Sequence, residues 1–183
     1  DWLVRPVSRR LPRGRRPHSK RNKSRLSSFY YVHLKPIMSS VVGLDIGNIS
    51  SKIGVARARG VDIVSNEVSN RSTPSLVSFG QKARALGEGA ANAQTSNFKN
   101  TVGSLKRLIG RTFQDESIQQ FEKPFVNAEL VDAKGEVGVK VRFQGEEHIF
   151  SATQLLGMYL GKLRDTTQRE LGGSGVSDVV ISV

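Results

Sequence analysis

Residues 41–56 read VVGLDIGNISSKIGVA: two apolar runs joined by a short polar turn, with a single carboxylate, Asp45, just before it. Residues 41–46 and 52–56 are rich in Val and Ile and predict two β-strands, so Gly47, Asn48, Ile49, Ser50 and Ser51 must reverse the chain between them. A turn that tight aims successive backbone N–H groups into one concavity, which can hold an anion without any side chain. Asp45 is expected at the end of a buried strand, where a carboxylate is costly unless it faces a cation or several donors. Magnesium held through water is the natural partner. The plain alternative is an ordinary hairpin whose Asp makes a turn hydrogen bond.

Composition narrows the functional classes. Of 183 residues none is cysteine, which excludes disulfides, thiolate metal sites and cysteine nucleophiles. His18, His33 and His148 are far apart and lack ligand spacing, which argues against zinc. No apolar run approaches the ~20 residues of a membrane helix, so no membrane partner is expected. The formal net charge of +12 suggests a nucleic-acid binder until it is apportioned. Of 28 basic and 16 acidic residues, 11 and 1 fall in residues 1–37, leaving 17 and 15 for residues 38–183. The basicity belongs to a leader, and nucleic acid is not an expected partner of the remainder.

The leader, residues 1–37, interleaves Arg pairs with Pro6, Pro12 and Pro17 and offers little to bury, so it is expected to lack a fold. It has three readings: a presequence of mitochondrial type, weakened by its prolines; a nucleic-acid-binding arm in which Tyr30 and Tyr31 stack on bases; or a stretch foreign to a domain that starts at Met38. The last is preferred, because composition changes there. Residues 38–183 are then one domain, expected to be incomplete.

Along that domain, residues 61–64 predict a third strand of an antiparallel meander. Residues 76–79 predict a strand after a polar loop containing Pro74. Residues 83–94, rich in Ala, predict a short helix broken by Gly87 and Gly89. Residues 100–111 predict a helix capped by Asn100 and stopped by Gly110, with Lys106 off its apolar stripe. Residues 125–130, 137–143 and 148–150 predict a small antiparallel sheet forming its own subdomain. Ser151 and Gln154 make a capping box for a helix burying Leu155, Leu156, Tyr159, Leu160 and Leu163, ended by Gly172 and Gly173. Residues 179–183 predict a last strand of buried type, and a chain ending inside one is expected to have continued.

Taken in order, GLDIGNISSKIGVA, NEVSNRSTPSLVSFG, NTVGSLKRLIGR and DVVISV resemble the nucleotide-binding domain of the seventy-kilodalton heat-shock chaperones, in the actin and sugar-kinase superfamily. Asn48 after Gly47, where that family usually has a hydroxyl, together with NEVSNRSTPS, QTSNFKNTV and FSATQLLGM, is similar to the large, 110-kilodalton class. The resemblance implies an α/β, actin-like (ribonuclease H-like) ATPase fold, present in part: the first half of lobe I with a small upper subdomain, cut before lobe II.

The resemblance also implies ATP or ADP with Mg²⁺ as cofactors. Asp45 would order the water shell of the metal, the amides of Gly47, Asn48 and Ile49 would hold the β- and γ-phosphates, and Lys106 would reach the γ-phosphate. Such a set suits phosphoryl transfer, which needs positioning and charge neutralisation more than covalent chemistry. Loss of the hydroxyl at Asn48 predicts slow hydrolysis, and half a phosphate site predicts no hydrolysis by this chain alone. Arg71 to Pro74 are expected to be structural, with Arg71 pairing to a neighbour. The implied function is a chaperone that serves smaller heat-shock chaperones as nucleotide-exchange factor and holds unfolded clients, located in the cytoplasm, with the nucleus as second choice. The competing readings are a typical seventy-kilodalton ATPase chaperone, opposed by Asn48 and Ile49; a sugar kinase or actin relative, which would lack NTVGSLKRLIGR; and a basic nucleic-acid adaptor resting on residues 1–37.

Overall fold

A computed structural model describes residues 40–57, 59–173 and 175–182. The leader and its three readings lie outside the described residues.

The opening stretch forms the predicted hairpin. Strand β1 (Ser40–Asp45) pairs antiparallel with β2 (Ser50–Arg57), setting Leu44 opposite Ile53 and Asp45 opposite Lys52, and β2 pairs in turn with β3 (Gly60–Ile63). Val42, Leu44, Ile46, Ile53 and Val55 alternate inward, as a sheet with one covered face requires. A short β4 (Thr73–Pro74) pairs with the start of β2. The last strand, β11 (Val176–Ser182), lies parallel to β1 from the far end of the sequence. It is longer than predicted and more exposed than a buried-type strand, with Val180 64% accessible.

Two further sheets of three strands each are present: β6 (Arg84–Leu86), β5 (Val77–Phe79) and β7 (Thr101–Val102); and β10 (Glu146–Ser151), β9 (Glu136–Phe143) and β8 (Glu129–Ala133). Phe79 of β5 stacks on Phe150 at 4.7 Å and meets Phe143 edge-on at 5.7 Å, tying these sheets together. One buried cluster runs through all three sheets, so the small antiparallel sheet shares its core with the rest.

Helix α3 (Ala152–Glu170) is the central support. Its capping box is formed as predicted, with Ser151 Oγ accepting from the Gln154 amide and Gln154 Oε1 from the Ser151 amide. Ala152, Leu155, Tyr159, Leu163, Thr166 and Thr167 are buried at helical spacing, while Leu156 and Leu160 are only half-buried.

Two predicted helices are corrected. Within residues 83–94 the first part is β6, drawn into the sheet by β5, and only α1 (Glu88–Ala93) is helical, starting after Gly87 at φ +62°. Within residues 100–111, β7 comes first and α2 (Leu105–Leu108) is a single turn. Asn100 caps nothing; its Oδ1 accepts the Arg142 amide at 2.8 Å. The strand predicted at 125–130 is displaced to β8, after a turn in which Phe125 is exposed.

Candidate functional site

Between β1 and β2 the chain turns through Gly47, Asn48 and Ile49. Gly47 is required by closeness: a Cβ there would collide with the Ser50 carbonyl oxygen. Ile49 is 87% accessible, an exposure that no packing contact explains. Among the described residues, the amides of Gly47, Asn48 and Ile49 donate to no protein acceptor. Three successive free donors in one turn are what an anion site needs.

The carbonyls of the same turn are engaged. Ser75 Oγ donates to the Gly47 oxygen at 2.8 Å, and the Ser75 amide donates to the Ile49 oxygen at 2.9 Å. Ser75 is buried and lies 3.0 Å from Ser51 Oγ and 3.4 Å from the Tyr159 hydroxyl. Tyr159 donates to the Thr73 carbonyl at 3.0 Å. Each hydroxyl carries one proton. With the Ser75 proton on Gly47 and the Tyr159 proton on Thr73, Ser51 is the donor to Ser75. Burial pushes the Tyr159 phenol up from its ordinary value.

Asp45 does not sit where the buried-strand argument put it. It is exposed, on the open face of the sheet beside Lys52, and makes no ion pair among the described residues. The carboxylate alternates outward because Leu44 and Ile46 alternate inward, so its cost is low and it keeps access to a hydrated cation. Among the described residues no group of three Asp, Glu or His could ligate a metal directly.

Lys106 is half-buried on α2. Its neighbour Arg107 is bound to the buried Glu122, whereas Lys106 makes no ion pair among the described residues. A cavity of about 560 Å³ joins Asn48, Ile49 and Ser50 to Asn70 and Ser72 and to Gly103 and Ser104 at the entrance of α2. The structure therefore brings Asn48 and Ile49 to one cavity with the residues just before Lys106, while Asp45, Gly47 and Lys106 themselves lie outside its lining.

The loop beyond β3 is organised by Asn66, whose Oδ1 accepts the amides of Val68 and Asn70 and whose Nδ2 donates to Ser72 and Glu88. Lys162 of α3 donates to Glu67 at 2.7 Å. Burial alone would raise the Glu67 carboxyl, but this bond, with the charges of Lys162 and Arg169, brings it below the ordinary value. Arg71, predicted to pair, is exposed and makes no ion pair among the described residues. Sequence reasoning missed Ser51, Ser75 and the polar role of Tyr159. The available signal was a serine and a tyrosine between apolar neighbours, Ser75 and Tyr159, and Ser51 in alternation with the inward-facing Ile53.

The model of the family described as Hsp70 protein matches residues 41–183. The chain is 52% identical over 144 residues to heat shock protein hsp88 of Neurospora crassa, covering 79% of this chain and 20% of that protein. Two heat shock protein homologs of Saccharomyces cerevisiae are as similar. The chain is 51% identical over 148 residues to the first, covering 80% of this chain and 21% of that protein. It is 52% identical over 147 residues to the second, with the same coverage of 80% and 21%. The chain thus spans about a fifth of the length of the curated relatives it matches.

Proposed function

Because the chain belongs to the Hsp70 protein family and is about half identical to heat-shock proteins of its large class, we propose that it carries the first phosphate-binding turn of an ATP-binding chaperone. The observation that carries this reading is the exposed turn whose amides at Gly47, Asn48 and Ile49 have no protein acceptor. Those amides fit the oxygens of a polyphosphate. Asp45, exposed and unpaired, fits a Mg²⁺ ion met through water, and Lys106, left free while Arg107 is bound, fits a terminal phosphate. The bound metal would neutralise phosphate charge; the protein's part is to hold and orient.

On this reading the segment is the first part of lobe I of an actin-like ATPase domain, with the β8–β10 sheet as its small upper subdomain. ATP sets the shape of the chaperone and is turned over slowly, because Asn48 supplies no hydroxyl at the turn. The parent protein works in the cytoplasm as nucleotide-exchange factor for smaller heat-shock chaperones and holds unfolded clients.

The test is to graft residues 41–183 in place of the matching segment of the first Saccharomyces cerevisiae homolog and titrate MgATP calorimetrically. The expected result is binding that Asp45→Ala or Lys106→Ala weakens at least about tenfold, as loss of a charged contact to phosphate should. A graft that folds and binds MgATP equally well with both substitutions would sink the assignment of these residues.

A further inference from the structure

Ser75 is bonded to the phosphate turn twice, once through its side chain and once through its backbone, and both bonds go to carbonyl oxygens. In a trans peptide the carbonyl of one residue and the N–H of the next point in opposite directions. Drawing the Gly47 oxygen back toward Ser75 therefore turns the Asn48 N–H away from it, and drawing back the Ile49 oxygen turns the Ser50 N–H away in the same sense. The turn has no Ser50-to-Gly47 backbone hydrogen bond of its own to fix these planes.

We propose that Ser75 is the positioning residue of the phosphate turn: by holding both of its carbonyls from behind, it presents the amides of Asn48 and Ser50 to an anionic oxygen in front. The inference rests on the phosphate reading above and refines its donor set, adding Ser50. Ser51 and Tyr159 lie behind Ser75, and neither side chain bonds to the turn itself. Tyr159 commits its proton to Thr73, and of the acceptors around Ser75 Oγ the Gly47 oxygen is the nearest, at 2.8 Å against 3.0 Å for Ser51 Oγ and 3.4 Å for the Tyr159 hydroxyl. All three hydroxyls are buried, which makes this order costly to break. The turn is thereby set before any ligand arrives, which lowers the ordering cost of binding.

The experiment is amide ¹⁵N relaxation of the full chain without ligand, followed by titration with MgATP. In the wild type the Asn48 and Ser50 amides should have order parameters of about 0.85, as for rigid backbone. Ser75→Ala releases only the Gly47 carbonyl, so Asn48 should fall below about 0.6 while Ser50, still held through the backbone of residue 75, stays rigid. Tyr159→Phe, which costs stability without touching the turn, should leave both unchanged. An Asn48 amide as rigid in Ser75→Ala as in the wild type, or loosened equally by Tyr159→Phe, overturns the proposal. The MgATP arm separates it from the reading it rests on. If the wild type shows no shift at Asn48 or Ser50 at millimolar MgATP, the phosphate reading fails and the relaxation data alone decide whether Ser75 positions the turn. If the wild type binds and Ser75→Ala binds as tightly, rather than about tenfold more weakly, positioning is refuted.

Discussion

Tyr159 shows how one buried polar atom can serve both stability and site geometry. Its ring fills the core, and its hydroxyl satisfies the Thr73 carbonyl. Tyr159→Phe leaves that carbonyl without its donor and should cost about 1–2 kcal/mol in urea unfolding. The phenol is raised in the folded state, so its contribution is fully present below the unfolded value near pH 10 and is lost as pH rises toward the folded value. Glu67 runs the other way. Its carboxyl is lowered by Lys162, so the stability it confers is present above about pH 4.5 and is lost as pH falls through the folded value. Unfolding midpoints at pH 6 and pH 3 in Glu67→Gln and in the wild type should converge at the lower pH. At this scale the sequence was half legible. Gly47, Asn48 and Ile49 could be read as a turn, because tight reversals have a narrow residue vocabulary. Ser75 could not, because its role depends on β4 lying behind the turn, 28 residues away in sequence. Asp45 was misjudged in burial, because reading the strand as simply buried ignored which of its faces the residue occupies.

Elements that carry their own local signals formed where expected. The capping box at Ser151 and Gln154 starts α3, and Ser151→Ala should cost about 1 kcal/mol, seen as a lower thermal midpoint. The meander β1 to β3 followed from its apolar alternation and short connections. The segments that failed were those whose local preference lost to a neighbour. Ala-rich residues 84–86 became β6 because β5 offers a ladder, with Ala85 opposite Ser78. Residues 101–102 became β7 on the other side of the same strand, and Ser104 then takes a left-handed conformation at φ 53° that shortens α2 to one turn. Gly87 marks the switch between β6 and α1. Its φ of +62° disfavours a side chain, and a Cβ would approach Thr73 Cγ2 to 2.7 Å. Gly87→Ala should therefore destabilise by about 2 kcal/mol or more, measured by chemical denaturation.

The first sheet has one face packed under α3 and one face open. Val41, Val61, Ile63 and Val180 stand on the open face around Gly43 and Gly54, with Asp45 at its end. An apolar face of this kind promotes association of the isolated chain. Val61→Lys should shift sedimentation toward monomer at fixed concentration without changing the unfolding midpoint, since Val61 is 71% accessible. The pairing of β11 with β1 carries a different consequence, in time. Strand β1 leaves the ribosome more than a hundred residues before its parallel partner, and at about 5–20 residues per second the interval is on the order of ten seconds. For that period the nascent chain displays β1 with one bare edge, already hydrogen-bonded to β2 on the other. During that interval the hairpin is an open template for pairing with other chains, and it needs shielding until β11 arrives.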